Sequence, residues 1–130
     1  MYVTVTRNIE VSVTPRFLSE RSSPAQGHFF WAYTIAITNK GAETVQLKTR
    51  HWRITDARGR VQEVRGAGVV GEQPRLAPGE SFEYTSGVPL ETPSGFMVGT
   101  YSMVTDKGER FDIAIPAFSL DSPDGGRTIN

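Results

Sequence analysis

The chain has 130 residues, fourteen basic against fourteen acidic side chains, and no cysteine. That length suits one domain, and a domain of this size buries about two-thirds of its unfolded surface without help from a metal or a crosslink. The charge balance argues against a protein built to grip a phosphate backbone, so there is no strong nucleic-acid signal. The missing thiols exclude disulfides, zinc–thiolate sites and thiol chemistry.

The opening "MYVTVTRNIEVSV" lacks the charged-then-apolar order of a signal peptide. No apolar run reaches membrane-spanning length. These features predict a cytoplasmic protein with no membrane partner. In "VTVTRNIEVSV", Val3, Val5, Ile9, Val11 and Val13 share one parity, the alternation of a strand with one buried face. "SERSSPAQG" is polar and rich in serine, and reads as a mobile loop.

In "HFFWAYTIAITN", Phe29, Trp31, Tyr33, Ile35 and Ile37 face one way, and Phe30, Ala32, Thr34, Ala36 and Thr38 the other. "ETVQLKTRHWRITDARGR" changes phase. Val45 and Leu47 have one parity, Trp52 and Ile54 the opposite, so a β-bulge or bend is expected near Thr49 to His51. "DARGR" makes a tight turn with Gly59 at positive φ, and "VQEV" returns as the partner strand. "SFEYTSG" follows with Phe82 and Tyr84 inward. Both faces of "GFMVGTYSMVT" are partly apolar, as in a central strand. "DKG" turns the chain into "ERFDIAI". The domain is expected over 1–120, with a flexible tail over 121–130.

About seven or more short strands without a convincing helix make an all-β chain. The expected form is an antiparallel sandwich of the immunoglobulin or fibronectin type III kind, with no helix longer than about two turns. A small closed barrel is the alternative.

The stretch "RGAGVVGEQPRLAPGE" holds Gly66, Gly68 and Gly71 in the order G-x-G-x-x-G. A dinucleotide turn needs a strand entering those glycines and a helix leaving them. Pro74 and Pro78 follow instead, and a proline inside a helix costs about 3 kcal/mol or more. The favoured reading is a glycine-rich connection between strands, with Gly66 or Gly68 at positive φ. Such a turn can still form a nest that catches an anion, with Arg65 or Arg75 as its cation.

Candidate chemistry is sparse. His28 and His51 lie on different expected strands without a second ligand at metal spacing, and read as a surface and a hydrogen-bonded histidine. Asp56 and Glu63 flank a turn without the oxygen cluster that a hard cation wants. Ser86 and Ser94 precede glycines but lack the nucleophile elbow, and read as turn serines. No catalytic residue, metal or cofactor is assigned. Arg50, His51, Trp52 and Arg53 form a basic-aromatic knot. Trp52 shares the parity of Ile54 and is assigned to the core, whereas Arg50 and Arg53 are open candidates for an anion or an acidic partner. Val69 and Val70 are adjacent, so alternation buries only one of them. With Glu72, Gln73 and Arg75 they predict a partner contact over residues 66 to 76, and a neighbouring sheet edge allows a two-fold homodimer.

The elements RHW, ITD, GEQP, L-PG, YTSG and TPSG-M-G-Y-M occur in order between Arg50 and Met103, and "NIEVSV", "FFWAYTIAITNKG" and "RFDIAIPAFSL" flank them. Together these resemble the ApaG (CorD) family over about residues 3 to 120. The resemblance implies a fibronectin type III-like sandwich and a link to cobalt and magnesium resistance. It also implies a protein-binding role, as in eukaryotic proteins that carry the domain. The expected function is therefore a non-enzymatic interaction module for a protein partner. The alternative is a module binding a pyrophosphate- or nucleotide-type ligand at Gly66, Gly68 and Gly71.

Overall fold

A computed structural model describes residues 1–123. It contains nine strands: β1 (Tyr2–Thr6), β2 (Ile9–Phe17), β3 (Phe29–Asn39), β4 (Val45–Asp56), β5 (Val61–Ala67), β6 (Arg75–Leu76), β7 (Ser81–Leu90), β8 (Ser94–Thr105) and β9 (Arg110–Asp121). All the pairings are antiparallel. One sheet runs β1-β2-β3-β7. The other runs β5-β4-β8-β9, with β6 also paired to β4. The two sheets make an immunoglobulin-like sandwich, as the alternation predicts. The helical content among the described residues is two three-residue 3-10 turns.

The inner face of β3 carries Phe29, Trp31, Tyr33, Ile35 and Ile37, all buried. Tyr33, Trp52 and Phe118 meet at ring-centroid distances of 5.5 to 5.9 Å and stitch the two sheets together. Aromatic pairs in such tilted or edge-on geometry add about 0.5–1.5 kcal/mol each beyond the burial itself. Trp52 is 3% exposed, so its assignment to the core holds.

Three details differ from the sequence reading. First, "VTVTRNIEVSV" is not one strand. Arg7 (φ 50°) and Asn8 (φ 66°) form a two-residue turn between β1 and β2, the left-handed pair that hairpin twist favours. Thr6 then pairs with Ile9, and Val3 and Val5 fall opposite Ser12 and Glu10 on the outer face. They are 51% and 56% exposed instead of buried. Second, the bulge in β4 lies between Leu47 and Thr49, slightly earlier than expected. Lys48 is the inserted residue, and Arg50, Trp52 and Ile54 all turn inward after it. Third, the serine-rich loop is folded. Its two 3-10 turns are tied by the Phe30 N–H donating to Ser22 Oγ and by Ser22 Oγ donating to Leu18 O. At the other end, Asp121 closes β9 and Ser122 is buried. The rest of the expected tail, from residue 124, lies outside the described residues.

The two sides of the sandwich are unequal. On one, β1 and β9 are joined by the Tyr2 hydroxyl bonded to Ser119 Oγ and by the Ala114 N–H donating to Thr6 Oγ1. On the other, β5 and β7 are the outer strands and the sandwich is open.

Candidate functional site: a glycine hairpin laced to Arg50

The glycine stretch folds as a small hairpin. The Val69 N–H donates to Glu72 O, and the Glu72 N–H donates back to Val69 O, both at 2.8 Å. The central residues Val70 (φ 42°) and Gly71 (φ 82°) are both left-handed. Gly68, at φ 64°, meets the expectation of positive φ, and a Cβ there would stand 2.3 Å from Glu72 O. Gly66 does not share that conformation and has a different reason to be glycine. A Cβ on it would stand 2.8 Å from Arg50 Nη1.

Arg50 reaches over Gly66 because the bulge at Lys48 turns it inward. Its Nη1 donates to Ala67 O (3.1 Å) and Gly68 O (2.8 Å). The bulge also frees the Lys48 carbonyl, which accepts the Gly68 N–H and the Gln73 side-chain amide, both at 2.9 Å. The hairpin is therefore laced into β4 along its base. After Gly71 the chain runs through Pro74 into β6, and no helix leaves the glycines.

The sequence candidates separate accordingly. Val69 is buried at 1% and belongs to the core, whereas Val70 is 56% exposed at the hairpin tip. Glu72 and Gln73 are exposed beside it. Arg75 is exposed and paired with Asp106. Arg65 stands on the outer face of the sheet, 3.5 Å from Glu63, and Arg53 lies 3.7 Å from the same carboxylate. Neither Arg65 nor Arg75 gathers around the glycines; Arg50 does.

Beyond Arg50 lies a cluster that the sequence reading missed. Tyr33, Tyr84 and Tyr101 converge from β3, β7 and β8. The Tyr84 and Tyr101 hydroxyls bond to each other at 2.5 Å, and Tyr33 stands opposite Ser86 across the β3–β7 pair. Burial pushes all three phenols above their ordinary value, and the nearby Arg50 cation only partly offsets it. At the open side, a cleft of about 600 Å³ has Phe29, Ile54 and Leu90 in its lining. Arg60 at its mouth is held by Asp56 and Glu91.

The histidines and serines stay dispersed. His28 is exposed. His51 Nε2 is buried without a hydrogen-bond partner, 3.7 Å from Glu63, so the hydrogen bond expected of it is not made there. Ser86 lies within β7 opposite Tyr33 and Ser94 opens β8, so neither is the turn serine expected. Among the described residues, no group of three or more His, Asp or Glu is placed to hold a metal ion. No helix among them is long and apolar enough to cross a membrane.

Two antiparallel sheets with a laced hairpin at one edge define a small domain of the fibronectin type III-like class. A family model described as the ApaG domain matches residues 19–105. Protein ApaG of Bradyrhizobium sp. (strain ORS 278) is 69% identical over 130 residues, covering all of both chains. Protein ApaG of Rhodopseudomonas palustris (strain ATCC BAA-98 / CGA009) is 67% identical over the same full length. The crystal structure of an ApaA protein from Bordetella pertussis superimposes with a TM-score of 0.88 at 54% identity, covering 92% of this chain and 98% of that one. The chain belongs to the ApaG family.

Proposed function

We propose that this domain is a non-enzymatic protein-binding module, and that the tip of the glycine hairpin is part of its contact surface. The observation that carries the reading is Val70. A left-handed backbone costs an ordinary residue about 1–2 kcal/mol, and a β-branched residue there is a true outlier. Val70 holds φ 42° while leaving 56% of its surface exposed, so burial within the chain does not offset that strain. Glycine or asparagine would serve the turn better. An exposed apolar side chain flanked by Glu72 and Gln73 has the make-up of a small interface centre with a polar rim. Arg53, exposed on β4 of the same sheet, is a further candidate for the contact. On this reading the cobalt and magnesium resistance associated with the family acts through the bound partner, in the cytoplasm.

The reading predicts a trade. Val70→Asn relieves the turn and raises the melting temperature by about 3–5 °C, equivalent to about 1 kcal/mol for a domain of this size. The same change weakens binding to the native partner by about ten-fold or more. Calorimetric melting, set beside quantitative capture from native lysate, checks both halves. A variant that is more stable and binds like the parent moves the contact away from the hairpin.

The pyrophosphate or nucleotide reading has less behind it. Arg50 occupies the space over Gly66 and is committed to two carbonyls of the hairpin. The Gly68 and Val69 N–H groups already have acceptors. Calorimetric titration with ATP and with pyrophosphate at low salt is expected to show no saturable binding in the micromolar range. Such binding, lost on Gly68→Val, would reverse the ranking.

A further inference from the structure

The free edge of β5 has a charge pattern that fits itself. Arg60 O accepts from the Asp56 N–H, and the Gly68 N–H donates to Lys48 O. Even-numbered positions along this strand therefore bond toward β4. By the alternation of antiparallel ladders, Val61, Glu63, Arg65 and Ala67 turn their backbone groups outward. Ala67 O is taken by Arg50. Val61, Glu63 and Arg65 are exposed. The other outer strand on this side, β7, carries Pro89 at an outward position and so lacks one donor.

We infer that β5 pairs antiparallel with β5 of a second copy, about a two-fold axis at Val64. Outward positions must face outward positions, so the registers that pair the middle of the strand are few. One sets Glu63 against Glu63, and another sets Arg65 against Arg65. Like charges directly opposite are destabilising in both. The third sets Glu63 against the second copy's Arg65, and by symmetry repeats that pair on the other side of the axis. It also brings the two Val64 side chains together and places Val61 beside Ala67. The pairing joins the two sheets containing β5 into one. Exposed edge charges usually block strand addition; here, of the three registers centred on the strand, they permit one. The inference rests on the β5 edge and not on the hairpin tip, and stands apart from the partner reading above.

Sedimentation equilibrium tests it by charge exchange. The parent is expected to reach twice the chain mass with rising concentration. Glu63→Arg alone and Arg65→Glu alone should each associate about ten-fold or more weakly. An equimolar mixture of the two should form a heterodimer, because one chain then offers two cations to the other's two carboxylates. The double variant should dimerise like the parent. At concentrations low enough to keep every chain monomeric, melting temperatures should move little, since exposed ion pairs contribute little to folding. The chain has no cysteine, so Val64→Cys, on the axis, should crosslink on mild oxidation, and Gln62→Cys should not. A parent that stays monomeric at its highest soluble concentration overturns the inference. So do single charge variants that associate like the parent, or a mixture that fails to pair.

Discussion

Gly68→Ala is expected to lower folding stability by about 3 kcal/mol or more, against about 1–2 kcal/mol for Gly71→Ala. Both residues have positive φ, so each substitution carries the left-handed cost of about 1–2 kcal/mol. At Gly71 that is the whole effect, because nothing lies within 4 Å of the new Cβ. At Gly68 the Cβ would stand 2.3 Å from a backbone oxygen of Glu72, which cannot swing aside. The hairpin must open, losing the paired bonds between Val69 and Glu72 and disturbing the seat of buried Val69. Gly66→Ala falls between them. Its obstacle is the end of the Arg50 side chain, which can move if it gives up its bonds to Ala67 O and Gly68 O. Bonds from a charged donor contribute about 1.5–3 kcal/mol. Urea unfolding of the three variants gives the order directly. Equal losses at Gly68 and Gly71 would mean that the hairpin is not closed as described.

The three glycines therefore do three different things within one spacing. Gly66 admits a side chain, Gly68 admits a carbonyl, and Gly71 supplies a turn angle. A nucleotide motif asks all of its glycines to serve one ligand. The two prolines after Gly71 already speak against a helix there. They do not say what the glycines serve, because the answer lies on β4, well separated in sequence.

How much of the structure was legible depended on whether the controlling interaction was local. Alternation in β3 is uninterrupted, and the five apolar residues it turns inward are all buried, with Asn39 buried beyond them. The phase change in β4 announced a bulge, although periodicity alone could not fix the inserted residue as Lys48. The hairpin at Arg7 and Asn8 escapes the alternation because the odd-numbered apolar residues continue across the two-residue turn, whereas the inward face changes parity there, with Thr6 opposite Ile9. Only turn chemistry marks the break, and arginine followed by asparagine is a weak signal beside asparagine followed by glycine. Arg50 was recoverable. The alternation that buries Trp52 and Ile54 also turns Arg50 inward, yet its charge suggested the surface. The tyrosine cluster had no such clue, since its members come from three strands in two sheets.

That cluster makes the protein sensitive to alkali, with an expected loss approaching about 3 kcal/mol per pH unit above pH 10 from Tyr84 and Tyr101. Tyr33, Tyr84 and Tyr101 all hold their protons more tightly in the fold than in the unfolded chain, chiefly because burial penalises the phenolate. Below the ordinary phenol value, near 10, both states are protonated and the full stability is present. Above it, the unfolded chain releases protons that the folded chain keeps. The unfolded state then binds fewer protons, so stability falls as pH rises. Tyr84 and Tyr101 each contribute about 1.4 kcal/mol per unit, and Tyr33 adds in the same direction until it ionises in the fold. The fall continues until the folded phenols themselves ionise. Urea midpoints between about pH 9 and 11 measure it, and tyrosinate absorbance of the folded protein should lag that of the unfolded chain. Replacing both Tyr84 and Tyr101 by phenylalanine removes the mutual hydroxyl bond as a unit and should remove most of the slope. Tyr101→Phe alone is the harsher change at neutral pH, because it strands the buried Tyr84 hydroxyl at a cost of about 1–3 kcal/mol. A flat stability profile across this window, or phenols that ionise at their ordinary value in the folded chain, would mean that water reaches the cluster. Arg50 would then lie in a wet crevice instead of forming the inner wall of the hairpin.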